Sequence, residues 1–126
     1  MSEKVKIHLE FTINCSPKVL FNRLSTASGL AEWFADDVTV RGKRFTFTWA
    51  NTRQEAEMTI YKENRLVRFT WLENEEDYFE FRILQDELTG DVALIVDDIS
   101  TGGETNESID LWNMQVADLK HILGSI

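Results

Sequence analysis

The segment Ser16-Pro17-Lys18-Val19-Leu20-Phe21-Asn22-Arg23-Leu24-Ser25, closed by Gly29-Leu30-Ala31-Glu32-Trp33-Phe34, interrupts a chain that otherwise alternates like strands. It reads as two short helices inserted into a sheet. Ser16 caps the first helix through its hydroxyl, and Pro17 suits the first helical position, where an N–H would have had no partner. Val19, Leu20, Phe21 and Leu24 then form the stripe expected to be buried.

Before this insertion, Lys4 to Asn14 alternates strictly, with Val5, Ile7, Leu9, Phe11 and Ile13 on one side and Lys6, His8, Glu10 and Thr12 on the other. That pattern predicts a half-buried strand. After it come six further candidates: Val38 to Arg41, Lys43 to Trp49, Glu55 to Lys62, Arg65 to Leu72, Tyr78 to Gln85 and Asp91 to Asp98. Gly42-Lys43, Ala50-Asn51, Glu63-Asn64 and Thr89-Gly90 separate them at hairpin spacing, which predicts an antiparallel meander. Period two puts Phe45, Phe47, Trp49, Met58, Ile60, Val67, Phe69, Trp71, Phe79, Phe81 and Ile83 on one strongly aromatic face. Thr46, Glu57, Arg68, Glu80 and Arg82 fall on the other, read as solvated, with Arg68 and Glu80 placed to pair across strands. Tyr61 and Tyr78 are assigned to that outer face as well.

From about Thr105 the period becomes helical, with Ile109, Trp112, Val116, Leu119 and Leu123 at three- and four-residue steps. Gly124 suits the helix end, and Lys120 and His121 lie where the dipole favours positive charge. The Ser-Pro-x-x-Val/Leu-Phe opening, the following Trp33, and the closing Trp112, Val116, Leu119, Lys120 and Leu123 together resemble the START-like (SRPBCC, helix-grip) superfamily, especially its branch of activators of the heat-shock-protein ATPase. The resemblance implies an α+β fold over a single START-like domain, 1–126: an antiparallel sheet of about seven strands gripping a long C-terminal helix, with two short helices after strand one. It also implies an apolar cavity between sheet and helix.

With 126 residues, 43% of them hydrophobic, and four Trp, one core can form without metal or disulfide support. A net charge of -9 without any basic run opposes a phosphate-tracking groove, so no nucleic acid partner is expected. No apolar run approaches the roughly 20 residues that span a bilayer, so no membrane insertion is expected. The single Cys15 and a start without an apolar signal region point to the cytoplasm.

Little in the chain points to catalysis. His8 and His121 are assigned to polar surfaces, and neither lies beside a nucleophile. Cys15, next to the helix cap, reads as a small buried residue. Asp36-Asp37 and Asp97-Asp98 are the tight carboxylate pairs; neighbours on an extended chain point opposite ways, and both pairs read as solvated strand ends. The run Glu73-Asn74-Glu75-Glu76-Asp77 reads as a hairpin tip, and Gly102-Gly103 as a flexible lead into the last helix. No metal-ligand spacing occurs, and no cofactor is expected.

The remaining candidate is aromatic. Phe47, Trp49, Met58, Phe69, Phe81, Trp112 and Val116 are the expected ligand-binding residues, bounding either a pocket or a filled core. Trp33 and Phe34 either line its mouth or anchor the second helix. The leading expectation is non-catalytic binding of a small hydrophobic, lipid-like molecule. A protein-interaction module resembling the chaperone-ATPase activators is the alternative, and a polyketide cyclase-like or hydrolase-like enzyme the third. A monomer and a homodimer are both compatible with the sequence.

Overall fold

The structure, a computed structural model, describes residues 3–125, those of 100–102 without their side chains. Strand β1 (Lys4–Ile13) is followed by helices α1 (Pro17–Ser25) and α2 (Ala27–Trp33), strands β2 (Asp37–Arg41), β3 (Arg44–Trp49), β4 (Thr52–Lys62), β5 (Leu66–Trp71), β6 (Tyr78–Gln85) and β7 (Val92–Thr101), a 3-10 turn at Gly102–Glu104, and helix α3 (Thr105–Ile122). The sheet order is β1-β7-β6-β5-β4-β3-β2. Every pairing is antiparallel, so β2 to β7 form the expected meander and β1 closes its far edge.

Both inserted helices start on hydroxyl caps. Ser16 Oγ accepts from the Val19 N–H at 3.2 Å, and Thr26 Oγ1 accepts from the Gly29 N–H at 3.0 Å. Leu20, Phe21 and Leu24 are buried, but Val19 faces solvent because it falls on the opposite side of this short helix from the sheet. A Cβ on Gly29 would lie 2.4 Å from the Asn22 carbonyl oxygen, so the close contact between α1 and α2 requires glycine. At the far end, the Asn14 N–H donates to Ser125 Oγ at 2.7 Å and ties the last described residue to the end of β1.

The turn between β3 and β4 holds Ala50 at φ 39°, a conformation that a side chain disfavours. Its N–H donates to Asp36 Oδ2 at 2.7 Å, so Asp36 supports a strained turn rather than idling at a strand end.

Period two fails in one place. The β4–β5 register shifts between Met58 and Ile60, so that Ile60 stands opposite Arg68 and Tyr61 opposite Val67. The bulge exchanges the faces of the two residues. Ile60 therefore leaves the inner set, and Tyr61 moves to the helix side of the sheet, where it stays 55% exposed and meets Phe21 edge-on at 5.5 Å between ring centroids.

The outer face also differs from a simple solvated sheet. Glu80 is only 2% exposed and Asp97 only 6%, and they sit opposite each other on β6 and β7. Arg68 Nε donates to Glu80 Oε1 at 2.9 Å, with Arg82 at 3.4 Å from Oε2; Asp97 is met by His8 Nδ1 at 2.5 Å and by Lys6 at 3.9 Å. Two adjacent buried carboxylates are thus held apart by cations from both flanks. His8, expected to be a plain surface residue, holds a buried partner.

Inside the grip, Phe34 occupies the centre. It stacks on Phe79 and Trp112 at centroid distances of 5.0 and 5.7 Å and meets Phe47, Trp49 and Phe81 edge-on at 5.2, 5.4 and 6.2 Å. Replacing Phe34 with Ala should therefore destabilise the protein by about 3–5 kcal/mol, as a large-to-small core change, measured by urea unfolding. A loss below about 1 kcal/mol would mean that the ring is not a structural centre.

Candidate functional site

The residues expected to bound a cavity separate into two groups. Phe47, Phe69 and Phe81 are fully buried, and Val116 nearly so. Phe69 stacks on Phe79 at 5.0 Å and meets Phe47 edge-on at 5.8 Å, while Phe81 meets Trp112 edge-on at 5.7 Å; Phe34 packs among these rings. These side chains form a solid core. Met58 is half-buried against it. Trp49 instead reaches an open cleft of about 430 Å³ between the sheet and the first half of α3, which Trp112, buried in the same core, also borders.

Trp71, Phe34 and Phe79 complete the aromatic wall of this cleft, and Leu111 borders it from α3. Its polar groups are Asp98, Gln54, Ser108 and Gln115. The volume falls within the roughly 300–1,000 Å³ of small-molecule sites. A second, more open depression of about 570 Å³ shares Phe34, Trp49 and Gln115, but continues between α2 and α3 past Glu32, Asp36, Asp118 and His121. The first has the more apolar wall, and it is the one that can bury an apolar body.

Each wall element is fixed by hydrogen bonds or stacking. The Phe34 carbonyl, at the C-terminal end of α2, accepts from the Trp49 indole N–H at 2.8 Å and from the Gln115 amide at 2.9 Å. The Trp112 indole N–H donates to Asp98 Oδ2 at 2.8 Å. Each indole also lies against a core phenylalanine: Trp49 on Phe47, Trp71 on Phe79 and Trp112 on Phe34. Such a wall is preorganised, because its rotamers are set before any ligand arrives.

Asp97 and Asp98, read in sequence as a solvated pair, are both largely withdrawn from water. They do point to opposite faces: Asp97 into the outer ion network, Asp98 into the cleft. Burial pushes the Asp98 carboxyl above its ordinary value, and the negative Asp77 adds to the rise; hydrogen bonds from the Trp112 indole and the Ile99 backbone act in the other direction. The acidic loop before β6 contributes Asp77, whose Oδ2 is 2.8 Å from Lys4 Nζ. Cys15 is half-buried, and burial raises its thiol pKa, which opposes thiolate chemistry at the α1 N-terminus. Among the described residues, no group of three or more His, Cys, Asp or Glu is arranged to hold a metal ion.

The profile of the START-like superfamily domain matches residues 1–125. The chain belongs to the START-like superfamily. A Bacteroides fragilis protein solved by solution NMR is similar at 37% identity, covering 98% of this chain and 93% of that one, with a TM-score of 0.68. The Aha1 dimer from Colwellia psychrerythraea is similar at 18% identity over 92% of this chain and 93% of its own, with a TM-score of 0.79. DynU16, from the dynemicin biosynthetic locus, gives a TM-score of 0.76 at 13% identity, covering 94% of this chain and 47% of that one. The last two speak to fold alone. No curated protein matches significantly. As the superfamily resemblance implied, the START-like sheet grips the C-terminal helix; no helix is long and apolar enough to cross a membrane among the described residues.

Trp71, Gln54 and Asp98 were not among the expected site residues. All three lie on the inner period of their strands; Asp98 continues the Val92, Leu94, Val96 series opposite Phe79, but a carboxylate near a strand end reads as solvated. Because the Asp98 pKa is higher in the folded protein than its ordinary 3.8, the folded state binds the proton more tightly. The stability this group contributes is present below its unfolded value and lost as the pH rises through its folded value. Asp98→Asn should therefore be at least as stable as the wild type at pH 7, with the difference shrinking toward pH values below 3.8, as followed by urea unfolding across pH. A variant that loses stability at pH 7 would contradict this.

Proposed function

We propose that the protein binds a small, mainly apolar molecule without transforming it, and that the site is the cleft walled by Trp49, Trp71 and Trp112 rather than a deep chamber between sheet and helix. The observation that carries this reading is the division of the aromatic set. Phe34 fills the interior, leaving about 430 Å³ of aromatic-walled space at the open end of the grip. Burial of apolar surface, worth about 25 cal/mol per Å², supplies the affinity, and the fixed polar groups supply orientation. The lining includes one titratable side chain, Asp98, and one hydroxyl, Ser108, with no His, Lys, Cys or second carboxylate among the lining residues to complete an acid–base pair. That supports binding over the cyclase-like reading.

Leu111 and Met114 favour a second reading as a protein-interaction surface, a second copy of the chain included: they are 52% and 67% exposed on α3 beside the cleft. Sedimentation of the wild type and of Met114→Glu separates this from small-molecule binding, since a surface contact would weaken in the variant.

Titration of the wild type with naphthalene, followed by tryptophan fluorescence and by melting temperature, tests the main reading. Saturable quenching together with a rise in melting temperature is expected. Leu111→Ala should weaken the binding about 3- to 10-fold while leaving stability within about 0.5 kcal/mol, as for an exposed side chain that borders the site. No saturable response in the wild type would remove the small-molecule reading.

A further inference from the structure

We propose that the cleft is selective for an organic cation: an alkylated ammonium group on a small apolar or aromatic body, held among Trp49, Trp71 and Trp112 and facing the Asp98 carboxylate. This rests on the cleft being the binding site, and it names the class of ligand.

Two independent features converge. The first is the wall. Three indoles line one space, and an indole face is the strongest aromatic partner for a cation because its quadrupole presents negative charge. Their polar edges are already committed in two cases: the Trp49 N–H to the Phe34 carbonyl, and the Trp112 N–H to Asp98. Ring surface for a ligand therefore comes from the half-buried Trp49 and Trp71, while Trp112, only 5% exposed and stacked on Phe34, closes the back of the wall and fixes Asp98.

The second feature is charge. Asp98 is the one ionisable group in the lining, and no Lys, Arg or His is among the lining residues. No ion pair to Asp98 forms among the described residues. Beside the cleft, sharing Gln54 and Trp71 with it, lies a smaller recess lined by Glu73 and Asp77. Asp77 Oδ2 is held by Lys4, whereas its buried Oδ1 accepts no hydrogen bond among the described residues. An anion entering the cleft would meet the Asp98 carboxylate with no cation in the lining, and the nearby Lys4 ammonium is already paired with Asp77. A neutral apolar ligand would gain the wall alone, and a cation gains both wall and charge. The net charge of -9 adds a long-range field of the same sign.

The decisive comparison uses two probes of nearly identical shape, phenyltrimethylammonium and tert-butylbenzene, titrated into the wild-type protein and read by tryptophan fluorescence. The ammonium probe should bind at least about tenfold more tightly than its neutral counterpart, the sum of a cation–π and a charge contribution. Asp98→Asn, which can still accept the Trp112 N–H, should remove most of that preference while leaving tert-butylbenzene affinity within about twofold. Equal affinities in the wild type would overturn the cation assignment and leave the apolar cleft standing. A preference that survives Asp98→Asn unchanged would overturn the role of the carboxylate. If neither probe binds, both the assignment and the binding reading fail.

Discussion

The Phe34 backbone carbonyl and the Phe34 ring act together as the junction of this molecule. A helix ends with carbonyls that have no partner within it. Here one of them takes two donors, the Trp49 indole from β3 and the Gln115 amide from α3, and thereby fastens the second helix to both the sheet and the last helix. The same residue sends its ring into the space that the sheet leaves under α3. Backbone and side chain of a single residue therefore set the height of the grip, and every aromatic contact around it follows from that height. In this chain the space between sheet and α3 is filled by a ring that belongs to the helix end positioning it.

Much of this was legible because the sequence periods are clean. The strict alternation in β1, the Ser16-Pro17 start, the hairpin spacings and the Trp112-Val116-Leu119 stripe each report one element, and the observed boundaries differ by a few residues. What failed did so where a local rule met a nonlocal one. Tyr61 reads as an outer-face residue because period two ignores a bulge, and nothing in the residues around Thr59 announces one. Glu80 and Asp97 read as solvated because polar residues on an antiparallel sheet normally face water; their burial depends on basic neighbours from β1, β5 and β6 itself lying over them. The cleft was only half legible. Trp49 and Trp112 were named, but the choice between pocket and solid core depended on which way Phe34 turned, and a helix end of one residue carries no periodic signal.

The ion network on the outer face and the cleft on the inner face meet at β7. Asp97 and Asp98 are consecutive, so the strand cannot move one without moving the other. Asp97 is anchored by His8 and Lys6 from β1, and through Glu80 opposite it the network reaches Arg68 and Arg82. Burying opposed carboxylates adds little net stability once desolvation is counted, but it penalises any slip of register by leaving a charge without a partner. A one-residue slip of β7 would also exchange Asp97 for Asp98 on the inner face. The outer network thus fixes the identity of the carboxyl that the cleft presents.

A solid interior changes what kind of ligand such a fold can hold. A deep chamber can cover most of a lipid chain, whereas an open cleft covers one face of a smaller body. At about 25 cal/mol per Å², burying on the order of 200 Å² of apolar ligand surface yields about 5 kcal/mol, which corresponds to a dissociation constant near the submillimolar range before ordering costs. Apolar contact alone is therefore a weak grip at this site. A single charge-assisted contact, worth about 1.5–3 kcal/mol, is enough to shift that affinity by one to two orders of magnitude. In a cleft whose wall is already ordered by Phe34, Phe47 and Phe79, specificity then resides in the few polar groups at its edge, above all in Asp98, rather than in the large hydrophobic set that dominates the sequence.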